Sequence, residues 1–440
     1  MTLREAQSAP LLDRRWPLLG HLPVLSRDSL GFLREGRRLH GPAFWIDMGF
    51  GNRIFVLVEE SGFEVFRHRA FDSSHLSVSS MLLGRSMLTI DGADHRRVRG
   101  VSAPAFTPSG LSRARVGELI TETVMRQLAT WRGRDEICAV AETKAVALDV
   151  IFRVMGIEVG ELAEWGHWYS ELILGGITSP KSLPGSPAWR ARRARRWLER
   201  RVRTIIARVR DSDDRESIVG TMVHGRDEDG AGMSEQELID NLLILALAGH
   251  ETTASTLAWS LIHLAREPAS WDRLVAEATA LAEVPTDWSA LADRVPYALG
   301  VFRESLRLYP PVHVDSRHAH EALEFCGYAI PENTVVGTSI LLLSRDPARY
   351  PDPDVWRPER WLSLDRKPTA VENCQFGGGV HFCLGYHMAL LEGTLFLVHA
   401  ARELAAAGRR PAQRGPVPRP RYIPLTRPPA KVPVGLVAAG

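Results

Sequence analysis

Near the C-terminal end of the 440-residue chain, the segment FGGGVHFCLG sets Phe376, Gly379, Cys383 and Gly385 at the spacing F-x-x-G-x-x-x-C-x-G. With 14 Phe, 36 Gly and 4 Cys in the chain, that pattern would arise by chance somewhere in the sequence about once in 1000. A cysteine in this setting suits a thiolate ligand to haem iron. A thiolate pushes electron density onto the metal and favours O–O cleavage more than neutral imidazole does. The glycines let the loop turn tightly and bring backbone N–H groups to the sulfur. A helical pattern starting around Gly385 would put Cys383 at a helix N-terminus, whose partial positive charge favours the thiolate. Phe376 would keep water from the sulfur. The competing reading is an inert buried cysteine. Cys374, nine residues upstream, has no spacing that marks it as an alternative.

A second cluster interrupts a long helical pattern, Ser234 to Arg266, which opens on a capping box of Ser234 and Glu237 and meets no proline until Pro268. At 1.5 Å per residue it would run roughly 45 to 50 Å. Leu242 to Ala248 is apolar on every side, which predicts a helix centre buried all round. Into that rod fall Gly249, His250, Glu251, Thr252 and Thr253, each locally unfavourable there. The Thr252 hydroxyl can bond the Ala248 carbonyl or compete for it, opening the helix beside Gly249. Glu251 and Thr252 can then relay protons from solvent into an otherwise dry interior. The bland reading is a kink with a satisfied threonine. Glu304 and Arg307, in ESLR, share a helix face at i, i+3. Taken alone, such a pair is more often a surface ion pair of little worth.

These motifs, in this order, resemble the cytochrome P450 family, and the resemblance covers essentially the whole chain. It implies that Cys383 is the proximal ligand of a haem b and that Phe376, Gly377 and Gly385 belong to the ligand loop. Ala248 and Gly249 would face the cofactor, with Glu251 and Thr252 as the acid–alcohol pair of the oxygen-binding signature. Their presence favours oxygen activation over peroxide-driven or rearrangement chemistry. Arg360, in WRPERW, would join Glu304 and Arg307 in a buried structural network that braces the loop leading to Cys383. The haem propionates need cationic or hydrogen-bonding partners. His95 and Arg99 (four apart, on one helix face), Arg317 and His381 fall at the family's propionate positions. Leu245, Val312, His313 and Val314 would line the substrate pocket, with parts of Phe71 to Leu88 and of Pro416 to Ile423. Most of these side chains are apolar; Ser74, His75, His313 and Asp315 could orient a substrate. A hydrophobic terpenoid, steroid, fatty acid or polyketide intermediate would fit.

The elements that must position these residues are mainly α. Helical patterns cover Arg113 to Trp131, Thr143 to Met155, Pro187 to Arg210, Ser234 to Arg266, Ala269 to Ala282, Ala298 to Leu308 and Gly385 to Ala407. Strand-like pieces are Ala43 to Met48, Ile54 to Val58, Tyr328 to Ile330 and Thr334 to Thr338. The resemblance implies a large helical lobe and a small β-rich lobe, with haem between the long central helix and the Cys loop. The Pro-rich stretches lie at the ends, including residues 1–25, so one haem domain over 1–440 is expected.

Composition narrows the alternatives. Lys+Arg number 54 against 52 Asp+Glu, a net charge of +2, and such balance argues against nucleic acid as the main partner. Of the 54, only four are lysines; the ten arginines and one acid of 190–210 read as a solvated helix face ahead of a membrane or nucleic-acid patch. The four cysteines contain no C-x-x-C pair, which argues against a zinc site or disulfide framework and fits a cytoplasmic protein. The N-terminus suits neither a signal peptide nor a membrane anchor. No G-x-G-x-x-G follows a strand, so no fused flavin or nicotinamide module is expected. Two electrons would come from a separate ferredoxin or flavodoxin with an NAD(P)H reductase, docking near Arg96 and Arg97. A monomeric monooxygenase using O2 is the leading reading. A haem-thiolate peroxygenase or isomerase, and then a non-enzymatic haem sensor, are the alternatives.

Overall fold

The computed structural model describes residues 4–176 and 183–439, the side chains of 77–81 excepted. Its axis is the helix Glu235–Leu264. The Ser234 hydroxyl accepts from the Glu237 amide while the Glu237 carboxylate accepts from the Ser234 amide, so the expected capping box fixes where this helix starts. The helix Ala139–Val154 lies along it. A pair of mutually packed helices, Leu162–Gly176 and Pro187–Arg210, crosses the same region. In the second of these, Ala188, Ala191, Ala194, Leu198, Val202, Ile205 and Val209 are buried at three- and four-residue steps while arginines fill the outer face. The helices Pro296–Leu308 and Tyr386–Ala406 pack on the other side, the latter buried over most of its length.

The β part sits apart from this helical core and has its own apolar cluster, built around Phe55, Phe63, Phe66 and Val336. Its main sheet runs in the order Ala43–Asp47, Arg53–Leu57, Thr334–Thr338, Asp315–Ala319, Phe71–Asp72, with only the Arg53–Leu57 and Thr334–Thr338 pair parallel. In this sheet Arg317 pairs with Val336, which turns a guanidinium into the interior. The architecture is the mainly helical fold with a small β lobe that the motifs implied. Among the described residues no helix is long and apolar enough to cross a membrane.

Two expectations need correction. The centre of the long helix is not buried all round: Ala248 is exposed and Leu245, Gly249 and Thr252 are partly accessible. These positions are spaced i, i+3, i+4, i+7, one face of the helix, so that face borders a cleft in the middle of the molecule. Nor does the helix open at Gly249; it is continuous from 235 to 264.

Candidate functional site

The Cys383 loop is held from both ends. Its amide donates to the Phe376 carbonyl at 2.9 Å, and the helix Tyr386–Ala406 starts just beyond it with Gly385 at the N-cap. Gly377 and Gly379 adopt left-handed φ of 72° and 62°. At Gly379 a Cβ would stand 1.7 Å from the Phe66 carbonyl oxygen, so no other residue can make this turn. The Phe376 ring packs edge-on against Tyr386 at 4.7 Å and lies 6.3 Å from Phe382, which gives the loop an aromatic floor. Burial pushes the Cys383 thiol pKa up, while the Gly385 amide and the Arg99 guanidinium oppose that shift. Deep as it lies, Cys383 remains partly accessible. Cys374 differs: it is fully buried in the β-lobe cluster, its sulfur 3.5 Å from the Ser344 hydroxyl, and burial pushes its thiol up to about 12. That is an inert core cysteine.

Four residues from three parts of the chain converge beside Cys383. Arg99 donates to the Phe382 carbonyl at 2.7 Å. The His95 ring lies 4.1 Å from that of His381, tilted by 45°, and buried His95 Nε2 has no hydrogen-bond partner. Burial and the neighbouring cations hold His95 neutral, at about 4. Arg317, 8 % exposed, bonds Asp315 at 3.0 Å and the Ser316 carbonyl at 2.7 Å, with its guanidinium over the Phe66 ring. His381 meets Asp91 at 2.9 Å and Ser73 at 3.2 Å. Burial raises the Asp91 carboxyl, but hydrogen bonds from His381 and the Ser73 amide outweigh it and leave its pKa below 3.8. The cluster also contains His75, bonded to Ser316 at 3.0 Å and held at about 4 chiefly by burial. Sequence reasoning did not find Asp91 or Ser73, because each is an ordinary loop residue until the chain closes.

On the central helix the Thr252 hydroxyl donates to the Ala248 carbonyl at 2.6 Å, one of the two options foreseen. A Cβ on Gly249 would stand 3.1 Å from Ile151, so this glycine lets the Ala139–Val154 helix approach closely. Glu251 is bound at 2.7 Å by Lys144 from that same helix, and His250 Nδ1 lies 3.8 Å from the carboxylate. Lys144 is one of only four lysines in the chain. Its rarity was visible in the sequence, but its partner was not.

Glu304 and Arg307 are fully buried and bonded twice, at 2.8 and 2.9 Å. Arg360 and Trp361 add bonds to Glu304 at 2.9 and 3.0 Å. Arg307 also holds the carbonyls of Ser344 and Pro353 at 2.8 Å. The network thereby fastens the 344–361 segment to the helix Pro296–Leu308. Arg303, one turn along, bonds Asn373 at 3.0 Å and the Tyr386 hydroxyl at 2.8 Å, tying the same helix to both sides of the Cys loop.

The pocket residues are less uniform. Leu245 and Val312 are accessible, whereas Val314 packs partly into an apolar cluster and His313 lies 5.7 Å from the Tyr422 ring, its pKa lowered to about 4 by burial. Asp315 is engaged by Arg317 and Ser74 by Asp72 and His318. Of the two arginines expected at a docking surface, Arg96 is exposed, but Arg97 is locked to Glu237 and the Gly232 carbonyl.

Residues 190–406 match the family model for cytochrome P450. The chain is 33% identical over 428 residues to the cytochrome P450 BJ-4 homolog of Sinorhizobium fredii, spanning 97% of this chain and 96% of that one. It is 30% identical over 407 residues to cyclooctatin synthase of Streptomyces melanosporofaciens, covering 88% and 87%. Among solved structures, the retinoic acid bound cyanobacterial CYP120A1 superposes with a TM-score of 0.85 at 26% identity, over 100% of both chains.

Proposed function

The chain belongs to the cytochrome P450 family, which holds a cysteine-ligated haem, and from that premise we propose that it is a monooxygenase of a hydrophobic small molecule. The observation that carries this reading is the convergence of Arg99, His95, His381 and Arg317 around a partly accessible Cys383. The residues present fit a haem. The orphaned His95 Nε2 and the two guanidiniums offer donors for propionates, and the accessible face of the central helix offers Leu245, Ala248 and Gly249 to an apolar ring. A thiolate-ligated haem supplies O2 activation, with one oxygen atom entering the substrate and the other leaving as water on two electrons and two protons.

In this reading Cys383 would hold the haem iron through its sulfur, and the Gly385 amide and Arg99 favour its thiolate form. Phe376, Gly377 and Gly379 give the loop its shape and close it off. Glu304, Arg307 and Arg360 hold the preceding segment in place. Thr252 presents its hydroxyl at the accessible helix face, and Glu251, joined to Lys144 at the partly exposed end of the pair, moves protons towards it. Leu245 and Val312 border the substrate, with His313 and Val314 behind them. A neighbour bound to retinoic acid supports an isoprenoid first among the apolar substrate classes. Electrons come from a separate ferredoxin or flavodoxin with its NAD(P)H reductase, approaching exposed Arg96. Oxygen uptake coupled to NAD(P)H oxidation and to an oxygenated product, in a system reconstituted with ferredoxin and reductase, tests the proposal. Turnover with peroxide alone, and none with O2, would sink it.

A further inference from the structure

Six of the ten arginines on the helix Pro187–Arg210 already have partners. Arg190 pairs with Glu171, Arg195 with Glu199 and Asp240, Arg201 with Glu161 and Glu164, and Arg203 and Arg210 with Glu235, while Arg208 holds the Gly156 carbonyl. The other four, Arg192, Arg193, Arg196 and Arg200, are exposed and have no acidic partner among the described residues. They lie within about 12 Å along the helix, from its second turn to just past its midpoint. Four unopposed charges so close repel one another unless an anionic partner meets them.

We propose that this stretch of the helix is a docking surface for an anionic lipid bilayer. The apolar surroundings choose the partner. Leu174 and Leu183, 62% and 71% exposed, stand at the same end of the helix pair. There a Cβ on Gly175 would lie 2.1 Å from the Pro187 carbonyl oxygen, so the two helices meet closely. The Arg193 guanidinium sits over the rings of Trp168 and Trp189 at 5.6 and 5.9 Å. Arginines reaching headgroup phosphates, with leucine and tryptophan at the acyl boundary, match an interfacial surface. An acidic protein would be satisfied by the arginines and would leave the leucines unexplained. The proposal does not depend on the haem reading.

The test uses the full haem-loaded chain, sedimented with vesicles of phosphatidylcholine containing about 30% phosphatidylglycerol and with vesicles of phosphatidylcholine alone. Binding to the anionic vesicles is expected at low salt, weakening when salt is raised to about 0.5 M. R192Q/R193Q/R196Q/R200Q should lose about tenfold or more in affinity. L174S/L183S should lose several-fold at unchanged charge. The charge-matched R37Q/R38Q/R69Q/R113Q, at exposed arginines elsewhere, should bind as the parent does. The proposal is overturned if the parent ignores anionic vesicles or if both quadruple variants lose equally. It is also overturned if the leucine variant binds undiminished while poly-glutamate displaces the protein from the vesicles, which would mark a protein-docking surface.

Discussion

Replacing Arg307 by Met should cost far more than a surface ion pair would, and the geometry says why. The guanidinium is fully buried, bonds both oxygens of a fully buried Glu304, and supplies donors to the Ser344 and Pro353 carbonyls. In R307M the carboxylate keeps Arg360, the Arg357 amide and the Trp361 indole but loses its bidentate partner, while the buried Ser344 carbonyl and the half-buried Pro353 carbonyl lose a donor. Breaking a buried pair from one side costs about 3–5 kcal/mol when the remaining charge is uncompensated, and with Arg360 still facing Glu304 the loss should lie towards the lower figure. A domain's whole stability is about 5–15 kcal/mol. The contrasting variant is R14Q: Arg14 and Glu35 form a pair at 2.9 Å that is 62% and 41% exposed, and its loss should cost under about 0.5 kcal/mol. The triple variant E304L/R307M/R360M, which removes all three charges of the network, should recover part of the loss. Guanidinium denaturation of the haem-loaded proteins, followed by tryptophan fluorescence, gives all three values. The reasoning fails if R307M is no more damaging than R14Q, or if the triple variant is worse than the sum of its parts.

Acid should unfold the protein through its buried histidines. Burial chiefly holds His75, His250, His313 and His399 at about 4 and His263 at about 3, below their ordinary 6.5. Below pH 6.5 the unfolded chain therefore takes protons that the folded one refuses. Stability is full above 6.5 and falls towards pH 4, by about 1.4 kcal/mol per pH unit for each proton. H263F should remove one proton from that slope in denaturation curves taken between these limits; an unchanged slope contradicts the assignment. G379A cannot place its Cβ beside the Phe66 carbonyl and should purify with little haem, read from absorbance against protein concentration. In K144M, with Glu251 released, product per NAD(P)H should fall by about tenfold, below the roughly 100-fold of a group that transfers the proton itself. Unchanged coupling would remove Lys144 from the proton path.

The legible parts were those in which one local rule sufficed. The capping box and uninterrupted pattern located the central helix, and glycines around a cysteine marked the tight loop that carries Cys383. Short strands alternating apolar residues were visible at 43–48 and 334–338. The strand Asp315–Ala319 was not, since D-S-R-H-A has no apolar alternation. Its arginine is buried because the sheet aims it at the site, a tertiary fact. Lys144 and Asp91 were hidden for the same reason: each acquires its role from a partner 107 or 290 positions away. The exposed stripe on the central helix was misread as core because apolar residues bordering a cleft have the same composition as apolar residues in a core.

The central claim is that Cys383, and not the sealed Cys374, provides the thiolate. The carbon monoxide difference spectrum of the dithionite-reduced protein tests it most directly, because thiolate ligation shifts the haem band strongly to the red. The parent and C374A should both show the red-shifted band, and C383A should lose it. A C383A protein that keeps the band, or a parent that never shows it, would contradict the assignment.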